Sequence, residues 1–224
     1  MSELSNSRIN FIRRIFNYIK TNFKYFLGFL IIIFIFFVGY QYYSFYQKKN
    51  VLQNSISYFN SKALEPNKEY YQIINELSNN NDFYSIITKL EMISYLFIEK
   101  KYDEANELYF NLLTQKNLNN IYKASIAAHA AYNNLNIMYD TSNLNMNSTI
   151  NEFIDFIDDD LEGYKGIKLE LKYLLAVSEQ DINEISSSND TTTNEMYELI
   201  QNSANISSTI KERVKSIHEY QKYK

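Results

Sequence analysis

Two histidines and one run of acids are the residues of this chain whose types could do chemistry. An imidazole titrates near neutral pH and serves as a general base or a metal ligand. To do so it needs a nucleophile to deprotonate, or further His, Cys, Asp or Glu ligands at short spacing. His129 and His218 lie far apart, and neither has a Cys or Glu at ligand spacing. No Ser-His-Asp set follows from spacing, and no glycine-rich phosphate loop is present. The chain has no cysteine, which removes disulfides, thiolate zinc sites and a cysteine nucleophile from consideration. His129 sits in an alanine-rich helical pattern and reads as a packed or half-buried side chain.

The acids are Asp155, Asp158, Asp159, Asp160 and Glu162, followed by Gly163. Asp158, Asp160 and Glu162 mimic the first half of a calcium loop. The bidentate glutamate of such a loop falls at its twelfth position, which here is Leu169, with Glu170 one residue off. Phe153, Ile157 and Leu161 fit a buried helical stripe, so the acids read as a solvated helix face. That helix closes at Gly163, which places the acids near its C-terminus, the wrong end for the macrodipole. The expectation is a chain with no catalytic residue, no metal and no cofactor. Asn147-Ser-Thr149, Asn189-Asp-Thr191 and Asn205-Ile-Ser207 match a glycosylation acceptor pattern that an Asn- and Ser-rich chain produces by chance.

The elements that would carry a function are legible. Tyr25 to Gln47 is uncharged and centred on Phe29-Leu-Ile-Ile-Ile-Phe-Ile-Phe-Phe-Val38. Roughly 20 helical residues cross a hydrocarbon core of about 30 Å, so this stretch reads as a single transmembrane helix. A cleaved signal peptide would have a shorter apolar core and small residues before the cut. Tyr40, Tyr42, Tyr43, Phe45 and Tyr46 stand there instead, as an aromatic belt would. Gly28 and Gly39 form no small-residue packing motif. Ile9, Ile12, Phe16 and Ile19 have helical spacing, so residues 8–20 either lie on the membrane or serve as a basic flank.

Charge gives the orientation. Residues 1–24 carry Arg8, Arg13, Arg14, Lys20 and Lys24 against Glu3, while the remainder holds 17 basic and 25 acidic residues. The basic side stays in the cytoplasm, which places the C-terminal part outside, in a bacterium the periplasm. An acidic body argues against nucleic acid as a ligand. The expected organisation is a cytoplasmic tail over 1–24, a transmembrane helix over 25–47 and a periplasmic domain over 48–224.

Beyond the anchor the apolar pattern repeats at 3.6 residues almost throughout, and no segment alternates for long. The pattern predicts an all-α domain of about nine helices with short loops. Loops are expected at Asn143–Ser148 and Ser186–Thr193. Only four glycines and one proline occur, against 21 tyrosines, as in a genome rich in A and T codons.

Residues 86–119 carry the best hairpin. Lys100-Lys-Tyr-Asp-Glu-Ala105 sits at its turn, Tyr109 lies four residues after Ala105, and Leu112 three further on. Glu179-Gln-Asp-Ile-Asn-Glu184 is a weaker turn of the same kind. Ala124, Ala127, Ala128 and Ala131 give the next helix a small-residue face. The window resembles a tetratricopeptide repeat, with Ile93 where a small residue is expected and Asn117 where a proline is. A basic tail, one anchor leaving through Gly39-Tyr-Gln-Tyr-Tyr43, and degenerate hairpins resemble together the YfgM-type bacterial inner-membrane proteins. The resemblance implies a tetratricopeptide-like periplasmic domain tethered beside the SecYEG translocon, contacting periplasmic chaperones or emerging chains. It carries no site residues over. Tyrosine offers large contact area at low entropic cost, and Tyr95, Tyr102, Tyr122 and Tyr132 are the candidates for a protein-binding surface. The alternatives are a scaffold for envelope assembly or cell division, and a membrane-bound enzyme.

Overall fold

The computed structural model describes residues 18, 20–64, 68–80, 82–116, 118–183 and 191–223. Among these residues there are nine α-helices, one 3-10 turn and no strand. The helices are α1 (Phe23–Lys62), α2 (Lys68–Ser78), α3 (Phe83–Ile98), α4 (Tyr102–Leu113), α5 (Asn120–Thr141), α6 (Asn147–Asp155), α7 (Glu162–Ile182), α8 (Thr191–Asn202) and α9 (Ser208–Gln221). The chain divides into two compact units, Met1–Ser85 and Ile86–Lys224. The all-α expectation holds. Most of the basic amphipathic stretch at 8–20 lies outside the described residues.

In the first unit, α1 is one unbroken helix of 40 residues, about 60 Å long. It contains no proline, and it stops at Lys62, where the Ala63 N–H turns back to the Asn60 carbonyl and the Leu64 N–H to that of Ser61. Its apolar segment is long and apolar enough to cross a membrane, and none of that window is buried. Beyond it, α1 packs on α2 and bonds to the start of α3. Asn54 Nδ2 donates to Asp82 Oδ2 at 2.7 Å, Tyr84 Oη donates to Ser55 Oγ at 2.8 Å, and Ser61 is fully buried. Asp82 Oδ1 also accepts from the Ser85 N–H, capping the start of α3.

The second unit is organised around α5. Its small residues Ala124, Ala127, Ala128, Ala130 and Ala131 are all buried, and α4, α6 and α7 pack on it. Absent side-chain bulk lets helix axes approach, and here that serves three neighbours at once. The main core joins Ile93, Ala105, Tyr109, Leu112, Leu113, Met138, Ile150, Phe153, Ile154 and Leu171. A second core, formed by Tyr173, Val177, Ile200, Ile206, Ile210 and Val214, lies among α7, α8 and α9. Gly166 belongs there, since a Cβ on it would lie 3.1 Å from Ile210 Cδ1 and 3.2 Å from Ile206 Cγ2. Helices α3 and α4 meet through side chains, with Phe97 5.9 Å from Tyr102 and 6.0 Å from Tyr109 between ring centres.

Two helix ends close alike. The Lys101 N–H reaches the Leu96 carbonyl and the Lys100 N–H that of Phe97; the Asn143 N–H reaches Met138 and the Ser142 N–H reaches Tyr139. This is the Schellman pattern, and it places Lys100 (φ 58°) and Ser142 (φ 52°) in the left-handed region.

Three boundaries differ from the sequence reading. Asn143–Ser148 is not a loop: Leu144–Met146 is a 3-10 turn and Asn147 opens α6. Helix α6 ends at Asp155 rather than running to Gly163, because Leu161 is the N-cap residue of α7 and Gly163 lies in that helix's first turn. Asp155 therefore closes α6, Asp158–Asp160 lie in the loop, and Glu162 stands at a helix start, where it suits the macrodipole. Of the loop expected at Ser186–Thr193, residues 184–190 lie outside the described residues, and Thr191–Thr193 open α8.

Candidate functional site

Helix α5 holds several of the side chains that could act, and His129, Tyr132, Asn133 and Asn134 are engaged. Tyr132 lies on its half-buried side and donates its hydroxyl to Glu170 Oε2 at 2.8 Å. Glu170 points in from α7 and meets the fork of Arg213 from α9, with Nε to Oε1 at 2.8 Å and Nη2 to Oε2 at 2.6 Å. The Glu170 side chain is 3% exposed and that of Arg213 55%. One carboxylate thus ties three helices, with its charge buried and its counter-charge in water. Burial, then the neighbouring carboxylate, pushes the Tyr132 phenol up. The hydrogen bond to Glu170 holds the Arg213 guanidinium more firmly charged.

One face further round, Tyr109 Oη lies 2.7 Å from His129 Nδ1 and accepts from Asn133 Nδ2 at 3.0 Å. That oxygen and Nδ1 share one hydrogen bond, its donor set by the imidazole tautomer. Burial raises the phenol and lowers the imidazole, so both stay neutral at pH 7. His129 as a whole is exposed rather than half-buried, with its ring sheltered on one side by Tyr109, 5.9 Å away between centres.

A buried amide pair lies between α4 and α5. Asn106 and Asn134 exchange hydrogen bonds at 2.9 and 2.8 Å, and Asn134 also donates to the Ala130 carbonyl. Near the C-terminus, the His218 ring stacks on Tyr197 at 3.9 Å, with His218 Nδ1 3.4 Å from Tyr173 Oη. A cavity of about 310 Å³ opens beside it, lined by Tyr173, Gln180, Thr193, His218 and Gln221. Gln180 and Gln221 are bonded to Thr193 and Asp181.

The acid cluster also has internal duties. Asp158 Oδ1 accepts from the Asp160 N–H, and Asp159 pairs with Lys168 at 2.8 Å. Lys168 also donates to the Ile157 carbonyl. Lys168 holds the Asp159 carboxyl below the usual carboxylate range. Among the described residues no group of three or more His, Cys, Asp or Glu is placed to hold a metal ion.

The four candidate tyrosines fall at separate places. Tyr95 is half-buried on α3, and Tyr102 is half-buried at the first position of α4. Tyr102 lines a cavity of about 380 Å³ with Lys100, Asp103, Ile137 and Met146. Tyr122 is 56% exposed beside the equally open Ile121. Tyr122 and Tyr132 stand ten residues apart on α5, about 15 Å along its axis and at different angles. The Tyr132 hydroxyl is spent on Glu170, so Tyr122 is the freest of the four to meet a partner.

Comparison with protein families, with curated proteins and with solved structures finds no match to this chain.

Proposed function

We propose that this chain is a membrane-anchored, non-enzymatic protein–protein interaction module, its tail in the cytoplasm and its tetratricopeptide-like helical body in the periplasm. The observation that carries the anchor is the surface of α1. From Phe29 to Val38 every side chain is between 45% and 75% exposed. Burying such a side chain is worth about 1.5–3 kcal/mol. Ten left about half in water forgo on the order of 10 kcal/mol, comparable to the whole net stability of a domain. Lipid covers such a segment. The basic excess before it and the aromatic residues after it support the orientation.

The absence of cysteine makes the topology directly testable. Ser5→Cys and Ser216→Cys each give a single thiol. With an impermeant maleimide applied to spheroplasts, Ser216→Cys is labelled and Ser5→Cys only after lysis. The reverse pattern overturns the orientation, and extraction of the chain by carbonate overturns the anchor. For the partner, the resemblance supports the export translocon and its periplasmic chaperones. Crosslinking in native membranes recovers their subunits on this proposal. Recovery of envelope-assembly or division proteins instead favours the scaffold alternative.

A further inference from the structure

Past the apolar segment, Asn54 and Ser55 of α1 bond to Asp82 and Tyr84 at the start of α3, and Ser61 is buried. Asn54 and Ser61 lie on the inward side, and Ser55 lies at its edge. Round the helix from Asn54 and Ser61, Leu52, Ile56 and Phe59 are 60%, 53% and 63% exposed, the Phe59 ring also meeting that of Tyr84 at 6.5 Å between centres, and Phe45, on the same line in the aromatic belt, is 68% exposed. Positions 45, 52 and 59 are seven apart, and 56 follows 52 by four. That is the alternating spacing of a coiled-coil seam, with 45, 52 and 59 at d and 49 and 56 at a. Lys49 is the one charged member. A single lysine at an a position is tolerated and fixes register, its stem lying along the seam and its ammonium leaving it. At the flanks a parallel pair would set Lys48 against Gln53 and Ser55 against Asn60, so the two Lys49 side chains are the one like-charge pair that meets, at a cost in stability.

We propose that this seam is covered by the same seam of a second copy, in a parallel two-helix coiled coil beginning where α1 leaves the bilayer. The proposal rests on the anchored reading. Anchoring points both copies the same way and raises their effective concentration. Each seam side chain offers on the order of 100 Å², given the sizes of aromatic and aliphatic groups. Four of them and the Lys49 stem bring about 500 Å² per copy, or about 1,000 Å² for the pair, the lower bound for a specific interface.

Disulfide scanning of the full-length chain in membranes tests this. Leu52→Cys, Ile56→Cys and Phe59→Cys give crosslinked homodimer under mild oxidation. Asn50→Cys and Ser57→Cys, about 100° round the helix, stay near background. A chain retained in carbonate-washed membranes whose five variants crosslink equally, or not at all, overturns the dimer and leaves the anchor standing. Adducts at 52, 56 and 59 with a different protein also overturn it. A chain lost from the washed membranes overturns the anchored reading and the dimer with it.

Discussion

Lys100 and Ser142 hold left-handed conformations at the ends of α3 and α5, where a Cβ costs energy that glycine avoids. Lys100→Gly and Ser142→Gly should each stabilise the protein by about 1 kcal/mol, read as a raised urea midpoint of the detergent-solubilised chain. The chain uses lysine and serine where glycine would have announced a helix end, and both ends were placed instead from the polar runs that follow them. The Glu170–Arg213 pair is asymmetric. Arg213→Met strands a buried carboxylate and should cost about 3 kcal/mol. Glu170→Met leaves a guanidinium that water already reaches, and should cost nearer 1 kcal/mol. Equal losses would mean the carboxylate is better hydrated than its 3% exposure implies. Neither residue could be paired from sequence, since they stand 43 positions apart. Asn106 and Asn134 left a fainter trace, because Asn134 falls on the stripe of Ala127 and Ala131, where a polar residue needs a partner.

At the scale of elements, the 3.6-residue period located α2 to α9, because one face of each is buried, whereas α1 was read from the length and apolarity of residues 25–47. It failed between α6 and α7, where Ile157 and Leu161 continue the period although the backbone has left the helix. Ile157 is fully buried from the loop, and a buried loop residue imitates a helical one. The alanine face of α5 was visible, and its use by three neighbouring helices was not. Ala127→Leu forces a large side chain between packed helices and should destabilise by about 3 kcal/mol, whereas Ser125→Leu on the exposed side should be close to neutral. Chemical denaturation of the two variants side by side decides it.

For the molecule as a whole, the division at residue 85 makes a prediction of its own. A fragment starting at Phe83 keeps α3 to α9 and both cores. It should fold alone, with helical circular dichroism and one cooperative melt; a molten fragment would mean the first unit is required. Stability should peak between neutral and mildly alkaline pH. Burial holds His129 and His218 below 6.5, with Lys222 adding to the effect at His218 while Glu198 and Glu219 oppose it. Below 6.5 the unfolded chain therefore binds more protons, and stability falls as pH drops. Tyr173 is lifted from 10 to about 12 by burial and then by Tyr197. Above 10 the unfolded chain loses phenol protons first, and stability falls as pH rises toward 12. His218→Gln should shorten the acid limb and Tyr173→Phe the alkaline one, in urea midpoints measured across pH. One last consequence comes from the unbroken course of α1. No proline and no glycine interrupts it between Tyr40 and Lys62, so it works as a drive shaft without a joint. Whatever fixes the azimuth of residues 25–47 also fixes the compass bearing of Asn54 and Ser55, and inserting one alanine after Gln47 would swing that bearing by about 100°.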